Sequence, residues 1–271
     1  MHAASRSALA RCVDHLDSLL GRADSVADAA KTGTELFDCV EVLDSDRALR
    51  VAVAEASTTG GQRAQLARDV FGGKVGEITL DVLVTAAEDV WSTPKEQRAG
   101  LVELGRRAML KAAQLDGKLE QVEQELFGLA RILEREPQLT QLLVDRTAPA
   151  TAKRSLLASV LYGKVTPYTE ALALQAVARR EHGPIEDISS LSELAAATRG
   201  KRVARVTSAA PLTADQRQAL ETKLGRIYGG EMVIHTETDT SLLGGMTIRV
   251  GSEVIDGSTA GKLERLKAAM A

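Results

Sequence analysis

Along the first two hundred positions apolar residues recur at spacings of three and four, with polar residues between them. That is the pattern of amphipathic helices. Leu9, Val13, Leu16, Leu19 and Leu20 make one stripe, and Leu119, Val122, Leu126, Leu129, Ile132 and Leu133 make another. Glu136-Pro137 and Ala148-Pro149 interrupt the pattern, because proline disfavours helix in the residue before it. Gly72-Gly73 and Gly163 follow apolar runs ending at Phe71 and Leu161, where helix C-caps are expected. Short amphipathic helices joined by polar turns predict a compact bundle.

Past residue 200 the period changes to two. A strand is predicted around residues 203–208, and Pro211 bars helix until Thr213, where Thr213-Ala214-Asp215-Gln216 reads as a capping box. Leu220, Leu224 and Ile227 form the buried stripe of that helix, and Gly229-Gly230 ends it. Met232, Ile234 and Thr236 alternate as a second strand. Met246, Ile248 and Val250 alternate on a third, opposite Thr247 and Arg249. Gly251-Ser252 turns the chain into a short strand at Val254 and Ile255, Asp256-Gly257 turns it again, and Ser258 is placed to cap a last helix ending near Met270. The predicted fold is mainly α with a small α/β C-terminal domain. A duplicated amphipathic helical bundle is followed by a strand-helix-strand-strand-helix domain, in which Leu263 and Leu266 pack the last helix on the strands bearing Ile248 and Ile255.

The duplication shows when the chain is shifted by 90 positions. Glu35-Leu36-Phe37 then falls on Glu125-Leu126-Phe127, Leu43 on Leu133, Gly73-Lys74-Val75 on Gly163-Lys164-Val165, and Pro94 on Pro184. Leu101, Glu103 and Leu104 fall on Leu191, Glu193 and Leu194 in the same register without a gap. A matched Phe, a matched Gly-Lys-Val turn and a matched Pro in one register point to a repeated helical module. Three domains are expected: an extra helical module at 1–104, a helical bundle at 105–199 and the α/β domain at 200–271. Residues 1–104 carry 11 Lys and Arg against 17 Asp and Glu, whereas the other two segments are slightly basic. Divergent surface charge fits copies that meet different partners.

A net charge of −3 excludes a nucleic-acid binder working through a large positive field. No run approaches the eighteen or so apolar residues of a spanning helix, and Arg6, Arg11, Asp14 and Asp17 argue against a signal peptide. Cys12 and Cys39 are expected as buried, reduced thiols, since two cysteines make no disulfide framework. The sequence carries no catalytic constellation: His2, His15, His182 and His235 lack ligand-like spacing. Gly73-Lys74 and Gly163-Lys164 lack the earlier glycine and the following Ser or Thr of a phosphate loop. No cofactor, metal or nucleotide is expected.

The run from Asp239 onward resembles the C-terminal signature of the delta subunit of F-type ATP synthases, the bacterial counterpart of the oligomycin-sensitivity-conferring protein. The resemblance is carried by Leu242, Leu243, Gly244, Gly245, Ile248, Gly251, Val254, Ile255, Asp256, Gly257, Ser258, Leu263, Glu264 and Leu266. Val203, Val206, Thr207, Ser208, Ala209, Pro211 and Leu212 fit the strand that opens the same domain, while Thr240, Thr259 and Lys262 depart mildly from the pattern. Met109-Leu110-Lys111-Ala112-Ala113 and Gly117-Lys118-Leu119 resemble the opening helix and turn of the family's helical domain. The chain is therefore similar to an enlarged delta subunit with a duplicated helical domain.

The resemblance implies a non-catalytic stator subunit, peripheral on the cytoplasmic face of the bacterial plasma membrane. It would join the N-terminal helix of an alpha subunit, on the catalytic head, to the b subunits of the peripheral stalk. Met109, Leu110, Ala113, Leu172, Ala176 and Arg179 are the candidate head-binding residues. The alternatives are a helical-repeat adaptor or scaffold unrelated to the synthase, and an enzyme, which the lack of an acid–base or metal constellation disfavours.

Overall fold

The computed structural model describes residues 1–55, 57–145, 147–179, 182–251 and 253–263. Two compact units result, Met1–Ile188 and Ser189–Ala271.

The first unit is helical: α1 (Ala3–Ala23), α2 (Val26–Ser45), α3 (Arg47–Ala52), α4 (Gly60–Phe71), α5 (Glu77–Glu88), α6 (Pro94–Leu115), α7 (Leu119–Arg135), α8 (Pro137–Val144), α9 (Ala150–Leu161) and α10 (Pro167–Ala178). The following helix, α11 (Pro184–Thr198), leads into the second unit. Local chemistry places the starts. Pro94, Pro137, Pro167 and Pro184 each open a helix, where a missing N–H costs nothing and φ is already helical. Thr59 and Gln62 cap α4 reciprocally, and Gly72 with Gly73 (φ +70°) closes it, as Gly163 (φ +67°) follows α9.

The shift of 90 holds helix for helix. Residues 60–71 and 77–88 map on α9 and α10 to the residue, and α2 and α3 map on α7 and α8. α6 has two counterparts, α1 before it and α11 after it, so it closes the first copy and opens the second. The expected division at 104/105 thus falls inside α6, and both copies lie in one compact unit except for most of α11.

α1 buries Ala8, Cys12, Leu16 and Leu20, a strict i, i+4 row, whereas Leu9, Val13 and Leu19 stand half out of it. Small side chains at 8 and 12 let α1 approach its neighbours closely. α7 buries Leu119, Val122, Leu126, Leu129 and Leu133 as its stripe predicts, with Ile132 left outside. α2 and α6 cross closely at Gly33 and Gly105. A Cβ on Gly105 would stand 2.6 Å from the Phe37 ring and one on Gly33 would stand 3.0 Å from the Gly105 carbonyl oxygen.

The second unit is a four-stranded mixed sheet in the order β2-β1-β3-β4. β1 (Arg202–Ser208), α12 (Ala214–Tyr228) and β2 (Met232–Thr238) form a parallel crossover, and β3 (Met246–Val250) and β4 (Glu253–Asp256) add antiparallel strands. Thr213 and Gln216 make the predicted capping box, and Gly229 ends α12 in the left-handed region at φ +68°. Ala204, Val206, Ile234 and Ile248 on one sheet face meet Leu224 of α12 in the core of this unit. The fold is mainly α with a small α/β region, as predicted.

Candidate functional site

Within the helical unit, α2 of the first copy lies beside α9 and α10 of the second, and a groove of about 590 Å3 runs between them. Phe37, Val40, Val102, Ala171 and Leu174 line its floor. Ion pairs staple its walls: Arg154 pairs with Glu41, Arg98 with Asp44, and Arg179 Nη1 lies 3.3 Å from Asp44 Oδ2. Burial, and the nearby charge of Arg179, hold the Arg98 guanidinium below its usual range. Burial likewise pushes the Asp38 carboxyl up, with Arg154 opposing.

Comparing copies explains why this seam exists. In the first copy, α1 and α5 are tied by Arg11 and Asp89 at 2.7 Å and by His15 and Asp81 at 3.2 Å. The matching positions in the second copy are Leu101 and Arg179, then Gly105 and Ala171. Those residues cannot form the ties. Gly105 instead receives the Phe37 ring, and Arg179 turns to Asp44 on α2.

Two carboxylates repeat faithfully. Glu35 Oε2 accepts from the Gly76 amide at 2.9 Å and the Thr79 hydroxyl at 2.6 Å. Glu125 Oε2 accepts from the Thr166 amide at 2.9 Å and the Thr169 hydroxyl at 2.6 Å. Each serves the N-terminus of a helix, where orphan amides and the helix dipole favour a negative charge. At the opposite end of α5, buried Arg63 donates to the carbonyls of Ala87, Glu88 and Asp89. Cys12 and Cys39 are free and buried, and burial pushes both thiols up to about 12, which leaves them protonated and unreactive.

Gly244, Gly245, Gly257 and Ser258 of the signature meet at one backbone junction. Asp239 Oδ1 accepts from the Ser241 amide and hydroxyl at 2.9 and 2.6 Å, and these bonds hold its carboxyl below the usual range. Gly245, at φ +81°, lies against the turn after β4, where an added Cβ would come within 2.5 Å of the Gly257 carbonyl oxygen. The Thr259 amide donates to the Gly244 carbonyl at 2.9 Å and the Gly257 amide to that of Met246 at 3.0 Å. Asp256 accepts from the Ser258 amide at 2.8 Å, and buried Ser258 accepts from the Gly261 amide at 3.0 Å, so a helix begins at residue 259. Gly251 takes the turn between β3 and β4 at φ +58°.

Not every expected apolar contact is made. Ile248 is buried, but Leu243 is 85% exposed, Leu263 50% and Ile255 37%, and Leu242 is half-buried. Leu263 therefore does not lie sealed between helix and sheet, because β4 is a four-residue edge strand exposed along its whole length. Leu266 lies outside the described residues. Of the candidate head-binding residues, Met109, Leu110, Ala113, Leu172 and Ala176 are 0–3% exposed. Side chains so enclosed hold the bundle together, while Arg179 alone of the six lines the groove. Sequence reasoning missed Asp44, Glu41 and Arg154. The signal was the charge change from Asp89 to Arg179 between the copies.

Among the described residues no group of three or more His, Cys, Asp or Glu side chains is placed to hold a metal, and no helix is long and apolar enough to cross a membrane. What the fold presents is a paired helical bundle and a small sheet that carries the signature residues. The family described as ATP synthase delta (OSCP) subunit matches residues 107–270. Proteins named ATP synthase subunit delta are similar over the full length. That of Corynebacterium efficiens is 61% identical, covering 100% of this chain and 99% of its own. That of Corynebacterium glutamicum is 60% identical and that of Corynebacterium urealyticum 52%, each covering 100% of both chains. The chain belongs to the ATP synthase delta (OSCP) subunit family, which removes the unrelated-adaptor alternative.

Proposed function

We propose that this chain is the non-catalytic stator subunit that links the catalytic alpha/beta head of an F-type ATP synthase to the b subunits of its peripheral stalk. Rotor torque drives the catalytic sites only if the head is held still, so the function is mechanical attachment. The observation that carries this reading is family membership together with full-length similarity to named delta subunits.

The finer assignments extend it. The helical copies take the head, through the N-terminal helix of an alpha subunit, in a helix-in-groove contact. The groove holding Arg179 suits that contact better than the enclosed residues of α6 and α10 do. The second unit meets the b subunits, and residues 1–104 are an added copy of the family's helical module. As part of that complex the chain would sit at the cytoplasmic face of the plasma membrane as a peripheral component.

Reconstitution tests the reading. Membranes carrying synthase depleted of this chain should hydrolyse ATP but fail at proton-driven synthesis, and adding the chain back should restore synthesis. Restoration of hydrolysis and synthesis in equal measure, with the head already assembled, would instead indicate a part in the chemistry.

A further inference from the structure

In the second unit, Arg205 on β1 and Arg249 on β3 are direct partners in the antiparallel register. Like charges in directly opposed positions repel and weaken a sheet. Glu193 relieves one of them, its carboxylate lying 2.7 Å from Arg205. The Arg249 side chain is exposed and makes no hydrogen bond or ion pair among the described residues.

The pair lines a cleft of about 510 Å3 that Lys201 and Arg202 also face, so four cations border it against one lining acid, Glu193. Lys201 reaches Glu231 at 3.5 Å and Arg202 the Tyr228 carbonyl at 3.4 Å. Ala197 and Val203 add apolar lining beside the charges. A sheet that keeps an opposed arginine pair in a cation-bordered cleft is complementary to an anionic occupant, whose carboxylates would turn the repulsion into paired guanidinium contacts. Apolar lining beside the cations favours a polypeptide, which brings aliphatic side chains with its carboxylates, over a free anion.

We propose that this cleft docks an acidic segment of a second polypeptide of the synthase, one that presents Asp or Glu carboxylates to Arg249 and Arg205. The proposal rests on the stator reading and supplies the chemistry of one of its contacts.

Arg249→Glu tests it without an expected cost in folding, because the new carboxylate faces Arg205 and replaces repulsion with attraction. The full-length variant should melt no lower than the wild type. It should rebind synthase depleted of this chain about ten-fold or more weakly, the scale of one close charge pair across an interface. Arg249→Gln should fall between. In the assembled wild-type enzyme, carbodiimide should join the Lys201 amine directly to an Asp or Glu of another subunit, identified by mass spectrometry.

If the wild type itself fails to rebind, the stator reading falls and this proposal with it. Wild-type rebinding matched by Arg249→Glu overturns the proposal and leaves the stator reading standing. So does cross-linking of Lys201 to Glu231 alone. A variant that rebinds synthase normally but loses affinity for phosphatidylglycerol vesicles would assign the cleft to lipid and overturn it too.

Discussion

The Glu125 carboxylate lies 2.6 Å from the Thr169 hydroxyl, reproducing ninety residues later the bond between Glu35 and Thr79. Each carboxylate also takes a backbone amide at the start of the helix it serves. The repeat has kept this pair while changing most of the surface around it, which marks it as a fastening of the module itself.

Removing either carboxylate strands amide and hydroxyl donors in a half-buried setting. Glu125→Ala and Glu35→Ala should each cost about 1–3 kcal/mol, the penalty for an unmade bond at a part-buried group. The sites share no hydrogen-bond partner, so the double variant should lose close to the sum. Urea unfolding of the three variants checks both statements.

The crossing of α2 and α6 depends on having no side chain at 105. Gly105→Val would drive into the Phe37 ring, which an added Cβ already meets at 2.6 Å. The expected cost is about 1–3 kcal/mol, and it should shrink in a Phe37→Leu background because the smaller side chain can yield. Thermal melts of the single and double variants measure the coupling.

Acid should release the N-terminus of α1 as it titrates Glu96. Glu96 accepts from the Ser5 hydroxyl at 2.7 Å and the His2 amide at 2.8 Å, and these bonds lower its carboxyl to about 2. A folded-state value below the unfolded one means the bonds stabilise fully above the ordinary carboxylate range. Their contribution is lost as pH falls through that range towards 2. In Glu96→Gln this part of the acid titration should disappear, read as hydrogen exchange at the amides of α1 between pH 5 and about 2.

Two changes in the signature should differ in size. Gly245→Ala places a Cβ at a left-handed φ and within 2.5 Å of the Gly257 oxygen. It should cost about 1–3 kcal/mol and lower proton-driven ATP synthesis more than hydrolysis. Leu263→Ala should cost only about 1 kcal/mol, because a half-exposed leucine has only part of its burial energy to lose. Equal losses from the two would mean the last helix is held through Leu263 after all. Paired melting and synthesis assays separate these outcomes.

Much of this was legible in the chain because it is written locally. The breaks at Pro137 and Pro149, the Thr213–Gln216 box and the Asp256-Gly257-Ser258 turn are each specified by a few adjacent residues, and each forms as its chemistry requires. The row of Ala8 and Cys12 was harder to see, since small side chains carry little hydropathy signal beside Leu9 and Val13. The groove was harder still. Asp44 meets Arg179 across the seam between copies, and no local pattern encodes a partner so far along the chain. Met109 and Leu110 show the same limit from the other side, because an apolar helical residue looks alike in sequence whether it faces core or partner.

Helix α6 belongs to both copies, and that gives the duplication a particular genetic freedom. Its span matches α1 in one direction and α11 in the other, so a crossover between the equivalent positions 14 and 104 joins helix to helix in phase. Excising 15–104 leaves no foreign junction, and unequal exchange at the same point adds a further module just as cleanly. The length of this subunit is therefore free to change in whole modules, with every intermediate chain ending its first helix where a folded protein already does.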